Sequence, residues 1–383
     1  MRYCRLYGLR RTLIKIEGQF HMRKAYGKLP QMRPSTRDRR HVGIIGCGNF
    51  AYSNIAYYLR KGHGAVIRGV MDTNIHRAAS LYEKYGAGYY TTDAQKIIGD
   101  PRIDLVYIAS NHATHAEYAI NLLDQHKHVH IEKPHVVNED QLYRLCETMG
   151  RSRGRVGLGF NRPGSVVGRK VKQALDRQTG AAMHNWFIAG HEIASDHWYF
   201  KEEEGGRVLG NLCHWTDFIF QMVPPEARYP LVIHPSRGRQ SDCDVCVSYV
   251  FGDGTIGAIT FSAKGHAFEG VRERYAAHRG DTLISLDDFS RLVIEVIDKK
   301  YVYTTLFREH GHEENILNSY GMTEAGESSF EGCQPRYVWE TGLLFLKTRE
   351  ALQRNEAITI DSSFRVEHGA SVPPKSILVE AHR

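Results

Sequence analysis

Residues 41–51 read HVGIIGCGNFA, an apolar run that ends in Gly46-Cys47-Gly48 and passes at once into a helical pattern. No other feature narrows the fold as much, because a strand that stops at a glycine turn and feeds a helix is the first unit of a dinucleotide-binding domain. Gly46 would make the tight turn, Gly48 would let the backbone approach a pyrophosphate, and Ala51 is small enough for close helix–strand packing. Anions bind at the N-terminus of such a helix, where free N–H groups and the positive end of the dipole converge. A bare GxG also occurs in turns that bind nothing, so the surrounding pattern has to carry the argument.

That pattern alternates. β-rich runs at 42–46, 65–71, 105–109, 128–131 and 155–159 are separated by helical stretches near 50–61, 75–85, 114–126 and 138–149. Strands spaced by helices need crossover connections, which predicts a parallel, doubly wound α/β sheet with ligands at the carboxyl ends of its strands. After Phe160 the texture changes to period-two alternation, clearest at 245–250 and 255–261 around an Asp253-Gly254 turn, and then along 291–306. This predicts an α+β domain with an open, mainly antiparallel sheet. A helical pattern at 337–354 closes it, while 308–314 and 317–332 read as irregular excursions over the crevice. The expected division is a basic N-terminal arm at 1–40, a dinucleotide-binding Rossmann domain at 41–160, a substrate and oligomerisation domain at 161–363 and a tail at 364–383.

The formal net charge of +7 points to nucleic acid only until it is mapped along the chain. Residues 1–40 hold twelve Lys or Arg against Glu17 and Asp38, a local +10, which leaves −3 on the other 343 residues. The basicity belongs to an arm, and no basic–aromatic interleaving elsewhere supports nucleic-acid binding. Within the arm Leu6, Leu9, Leu13 and Ile16 recur at helical spacing, leaving three readings open: a transit-like segment, a membrane-surface anchor, or an arm packed on a neighbouring subunit. Seven cysteines, an odd number scattered from Cys4 to Cys333, favour a reducing, cytoplasmic setting. Cys243 and Cys246 form the one CxxC and read as strand residues; His126, His128 and His130 lead to the crevice, and no metal site is expected. No run approaches transmembrane length.

Several residues carry candidate chemistry. Asp72 ends the second β run where a carboxylate accepts from ribose hydroxyls, favouring NAD, while Arg77 one turn later keeps NADP possible; the other reading makes Asp72 a helix N-cap. Glu132-Lys133-Pro134 follows the run 128–131, so Lys133 projects into the nicotinamide side of the crevice, where it can exchange protons with a hydroxyl. His214 sits among Cys213, Trp215, Phe218 and Ile219, as either a catalytic or a core histidine. Asn161 and Arg162 lie at the domain junction, where the guanidinium suits a substrate phosphate or carboxylate, or a salt bridge. His197 and Trp198 offer a face for stacking on a sugar ring, or a buried anchor.

The GCGNFA turn, the segment IASNHATHAEYA, the HVHIEKP block and GGRVLGNLCHWTDF, in that order, resemble the Gfo/Idh/MocA oxidoreductases over roughly residues 40–360. The resemblance implies that Gly46, Gly48, Asn49, Phe50, Asp72, Ser110, Asn111, His112, His115, Glu132 and Lys133 hold the nucleotide. Lys133 and His214 would relay the proton during hydride transfer, with Asn161, Arg162, His197, Trp198, Asn211 and His214 facing the substrate. Two departures stand out. Where the family often has an aspartate four residues before the histidine this chain has Gly210, with Asn211 the nearest polar group, similar to a subgroup with GxxCH in that place. Where many members have Thr-Pro-Asn it has Ser110-Asn111-His112. The activity implied is an NAD(H)-dependent oxidoreductase acting on a hydroxyl-bearing carbon of a sugar, nucleotide sugar or cyclitol, in a homodimer or homotetramer. The alternatives are an NAD-dependent lyase or glycosidase that recycles its cofactor internally, and a non-catalytic nucleotide-binding member of the fold.

Overall fold

The computed structural model describes residues 2–32, 40–240, 242–265, 270–324 and 330–361. The tail expected at 364–383 lies outside them. Two helices, α1 (Arg2–Tyr7) and α2 (Leu9–Arg23), precede the first sheet. That sheet comprises β1 (Val42–Ile45), β2 (Ile67–Met71), β3 (Tyr89–Thr91), β4 (Leu105–Ile108), β5 (His128–Ile131) and β6 (Val156–Leu158). All its pairings are parallel and its order is β3-β2-β1-β4-β5-β6. Every residue of β1, β2 and β4 is buried, because crossover helices cover both faces, and this is why these runs read as unbroken apolar segments. The crossovers are α3 (Ala56–His63, entered through a π-turn at Ala51–Ile55), α4 (Ile75–Tyr85), α5 (Gln95–Ile98), α6 (His112–Asp124) and α7 (Glu139–Arg151). Strand order reverses between β1 and β4, which places the binding crevice at their carboxyl ends.

After α8 (Val166–Asp176) comes the second sheet. It contains β7 (Ala182–His191), β8 (Leu231–Arg237), β9 (Val245–Val250), β10 (Ile256–Gly265), β11 (Arg272–Arg279), β12 (Thr282–Asp287), β13 (Arg291–Val296), β14 (Lys299–Thr304) and β15 (Ile358–Ile360). Its order is β14-β13-β12-β11-β7-β10-β9-β8-β15, antiparallel throughout except for the β7–β10 pair. Along β7 Trp186 and Ile188 point into the core while Met183 and Phe187 are exposed. The inner face is covered by α8, by α9 (Cys213–Met222) and by α11 (Pro335–Arg354), and no element among the described residues covers the outer face.

Three details differ from the sequence expectation. The run 291–306 is a hairpin, not one strand: β13 and β14 pair across a turn at Ile297, whose φ of 54° breaks the ladder. The stretch read as irregular from 317 begins inside a helix, α10 (His312–Tyr320), which packs on the first domain and accepts the Tyr107 hydroxyl at the Ile316 carbonyl, 2.7 Å. Of the CxxC pair only Cys246 lies in a strand; Cys243 precedes β9.

The two helices of the arm pack on their own chain. α2 lies against the π-turn Ala51–Ile55 and α4, and Gly18 permits the approach: a Cβ there would come within 2.3 Å of Asn49 Oδ1. Arg11 donates to the Ser53 carbonyl (2.5 Å) and to Asn54 Oδ1 (2.7 Å). His21 Nε2 lies 2.7 Å from the Cys47 carbonyl, with its ring stacked on Tyr52. At the other end the Arg308 backbone donates to the Leu6 carbonyl at 2.8 Å, so the arm touches both domains.

Candidate functional site

The glycine turn is built by exclusion. Gly46 has φ +88°, and a Cβ there would lie 2.5 Å from the Ala109 carbonyl and from Ser110 N, so only glycine lets the ends of β1 and β4 meet. The Cys47 N–H donates to Asp72 Oδ2 and the Asn74 N–H to Asp72 Oδ1, both at 2.8 Å. Asp72 is therefore not the N-cap of α4. That role belongs to Asn74, whose side chain accepts from His76 N. The Asp72 carboxylate instead ties the end of β2 to the glycine turn, and each oxygen keeps a second lone pair. A Cβ at Gly48 would meet nothing within 4 Å, leaving the start of the helix open in front of it. One turn into α4, the buried Arg77 Nε has no partner among the described groups. An open gap before a helix N-terminus, a carboxylate at the end of β2 and an unsatisfied guanidinium nitrogen fit a dinucleotide.

At the end of β5 the chain turns through Glu132, Lys133 and Pro134. Glu132 is buried and faces His130 Nε2 at 3.3 Å, and His130 Nδ1 lies 2.7 Å from Ser319 Oγ. Lys133 Nζ donates to the Gly210 carbonyl at 2.6 Å, in the π-turn Val208–Leu212 that leads into α9. This contact joins the two domains at the crevice. A Cβ on Gly210 would be 2.8 Å from His112 Cε1 and from Tyr199 Cε2, so neighbouring rings occupy the room an aspartate would need. His214 stands in the first turn of α9, with Nδ1 buried and unpartnered among the described groups. Burial first, and then the charges of Arg162, Lys133, His312 and His310, drive its pKa well below the ordinary value, so the imidazole is neutral.

Glu204, which the sequence reading missed, organises the wall opposite. Its carboxylate accepts from Asn111 Nδ2 (2.6 Å) and Ala113 N (3.1 Å), and its carbonyl accepts from His112 Nδ1 (2.8 Å). Asn111 and His112 are thus held by a glutamate from the second domain. Burial, His115 and Lys133 lower His112 to about 2, keeping it neutral. Ser110 pairs with Thr114 Oγ1 at 2.8 Å. His115 is buried between the Pro134 and Ser110 carbonyls (2.8 and 3.1 Å), where it braces two strand exits and offers neither nitrogen to the crevice. Trp198 sits edge-on to His112 at 4.7 Å, and His197 Nδ1 accepts from Tyr199 N.

Arg162 makes the salt bridge that its place at the junction also allowed. It is buried and makes a bidentate pair with Glu273, both bonds 2.7 Å, over the Trp215 ring. Glu273 also accepts from Trp215 Nε1 and faces His310 Nε2 at 3.3 Å. Burial alone would raise this carboxyl, but Arg162 and His310 outweigh it and hold Glu273 well below the usual range. Asn161 Nδ2 donates to the His310 carbonyl at 2.6 Å, leaving its buried Oδ1 without a partner among the described groups, as is Asn211 Oδ1. His310 and His312 were not singled out in the sequence. His310 lies just before α10 and His312 is its first residue, 5.7 Å from the Phe50 ring, beside the glycine turn. The available signal is HGH within REHGHEEN, in a stretch whose pattern reads as an irregular excursion.

Fold and crevice together define a two-domain architecture whose first domain has the form of a dinucleotide-binding unit. Residues 40–160 match the oxidoreductase family described by its NAD-binding Rossmann fold, Gfo/Idh/MocA. An oxidoreductase of Formosa agariphila is 34% identical over 140 residues, 36% of this chain but only 43% of the relative. Myo-inositol 2-dehydrogenase of Thermotoga maritima is 25% identical over 279 residues, 70% of this chain and 83% of that protein. Among solved structures, levoglucosan dehydrogenase in complex with NADH and levoglucosan superposes with a TM-score of 0.70 at 16% identity. That superposition covers 84% of this chain and all of the other, a likeness of fold.

Proposed function

We propose that the protein catalyses reversible hydride transfer between NAD and a hydroxyl-bearing carbon of a sugar, nucleotide sugar or cyclitol. The observation that carries this is the meeting of Lys133, from the end of β5, with Gly210 and the start of α9, beside the neutral His214. The names of the relatives, inositol and levoglucosan dehydrogenases, support the substrate class. NAD, when bound, supplies the hydride acceptor. Gly46, Gly48, Asn49 and Phe50 would cradle its diphosphate, Asp72 its ribose, and Ser110, Asn111 and His112 would line its path to Lys133. Lys133 takes or returns the hydroxyl proton; His214, neutral, accepts a hydrogen bond or the proton in turn. Asn161 and Asn211 each bring a carbonyl oxygen that is unpartnered among the described groups, suited to accepting from substrate hydroxyls. His197 and Trp198 would flank the ring. The bare face of the second sheet, with Met183, Phe187 and Leu283 exposed, would pair copies into a homodimer or homotetramer.

The test is reduced-nicotinamide formation from NAD and a panel of inositols, anhydrosugars and nucleotide sugars. Lys133→Ala should lower turnover by about two to four orders of magnitude with an unchanged melting temperature. Wild-type-like turnover in that variant would remove Lys133 from the chemistry.

A further inference from the structure

The inner face of α2 is fixed on its own domain through Arg11, Gly18 and His21. Nothing among the described residues covers the opposite face. Leu9, Leu13, Ile16 and Phe20 follow one another at steps of four, three and four, a single line along a helix, and their exposures are 66, 51, 48 and 71%. Leu306 (86% exposed) and Phe307 (40%) prolong the line past the start of the helix, where the Phe307 ring comes within 3.0 Å of a Cβ placed on Gly8. Six large apolar side chains from two segments thus point outward together, which scattered surface residues do not do.

Their border is cationic. Arg5, Arg10, Arg23 and Lys28 are exposed around the line, and the one acid on the helix, Glu17, is paired with Lys84 at 2.6 Å. A second copy of this face would set arginine against arginine. The line is also a ridge on one helix and not a groove that holds a peptide. We propose that the outer face of α2, with Leu306 and Phe307, docks the protein on an anionic lipid surface, the apolar line entering the headgroup boundary and the arginines meeting the lipid charge. No helix among the described residues is long and apolar enough to cross a membrane, so the contact is peripheral.

Co-sedimentation of the full chain with large vesicles tests this, using phosphatidylglycerol mixed with phosphatidylcholine against phosphatidylcholine alone. The variants are Leu13→Ser/Phe20→Ser and Arg10→Gln/Arg23→Gln, both outward-facing and checked by melting temperature. The expected result is binding to the anionic vesicles that weakens with salt and falls about tenfold or more in either variant, with little binding to phosphatidylcholine. Three results overturn it: no binding to anionic vesicles, equal binding by the Leu13→Ser/Phe20→Ser variant, or a wild-type oligomer that this variant dissociates while vesicles go unbound. The last would assign the face to a second copy. None of these outcomes depends on enzymatic turnover.

Discussion

Two glycines two residues apart should fail in opposite ways when each is changed to alanine. At Gly46 the backbone has φ +88° and the new methyl would sit 2.5 Å from the Ala109 carbonyl and Ser110 N. The left-handed conformation costs about 1–2 kcal/mol for a residue with a side chain. Forcing two buried strand exits apart adds about 1–3 kcal/mol. The sum, about 3 kcal/mol, corresponds to a fall of roughly 6–12 °C in melting temperature for a domain of this size. At Gly48 the backbone is ordinary and a Cβ meets nothing within 4 Å, so Gly48→Ala should melt within about 0.5 kcal/mol of the wild type. Its methyl would instead enter the gap before the helix, where the diphosphate must approach. Losing one charge-assisted bond there is worth about 1.5–3 kcal/mol, or roughly 10–100-fold in Kd. Calorimetry without nucleotide, paired with an NAD titration followed by tryptophan fluorescence, reads both effects. If Gly48→Ala binds NAD as tightly as the wild type, the diphosphate does not lie against that turn. If Gly46→Ala melts normally, the packing argument is wrong.

Other predictions address the second domain. Glu273→Ala leaves the buried Arg162 guanidinium and Trp215 Nε1 without their acceptor, so it should cost about 3–5 kcal/mol, seen as a lowered urea midpoint; a loss below about 1 kcal/mol would show the pair to be dispensable. His214→Ala should depress turnover by about two orders of magnitude or more while NAD affinity stays the same, and a parallel loss of affinity would point to a structural role instead. Burial raises Asp217 to about 6, against hydrogen bonds from Tyr337, Thr341 and Gln221. Because this folded value exceeds the unfolded one, the native state holds the extra proton, and stability should fall as pH rises from about 4 to about 6, by at most about 3 kcal/mol. Asp217→Asn should flatten that slope in pH-dependent melts; curves of equal slope would contradict the assignment.

Much of the first domain was legible because its signals are local. β5 occupies His128–Ile131 and α4 Ile75–Tyr85, where the apolar runs and helical periods placed them. β3, three residues long, and the one-turn α5 carry no periodicity and escaped notice. The hairpin β13–β14 read as one strand because Ile297 and Asp298 lack glycine, yet Ile297 takes a positive φ. At the site, Lys133 and the glycine turn are consequences of position along a strand. Glu204, His310, His312 and the Arg162–Glu273 pair depend on contacts between residues roughly 40 to 110 or more apart, for which no spacing rule exists. The space at Gly210 shows the same limit: a missing aspartate was visible in the sequence, but His112 and Tyr199 filling its place were not.

The most direct measurement is to denature the purified protein gently, identify any released nucleotide by mass spectrometry, and titrate the emptied protein with NAD and NADP. The account predicts NAD or NADH in the released fraction, or saturable binding that favours NAD and is weakened by Gly48→Ala. Release of no nucleotide together with no binding of either cofactor would contradict it, leaving the glycine turn a structural feature and the crevice without its hydride acceptor.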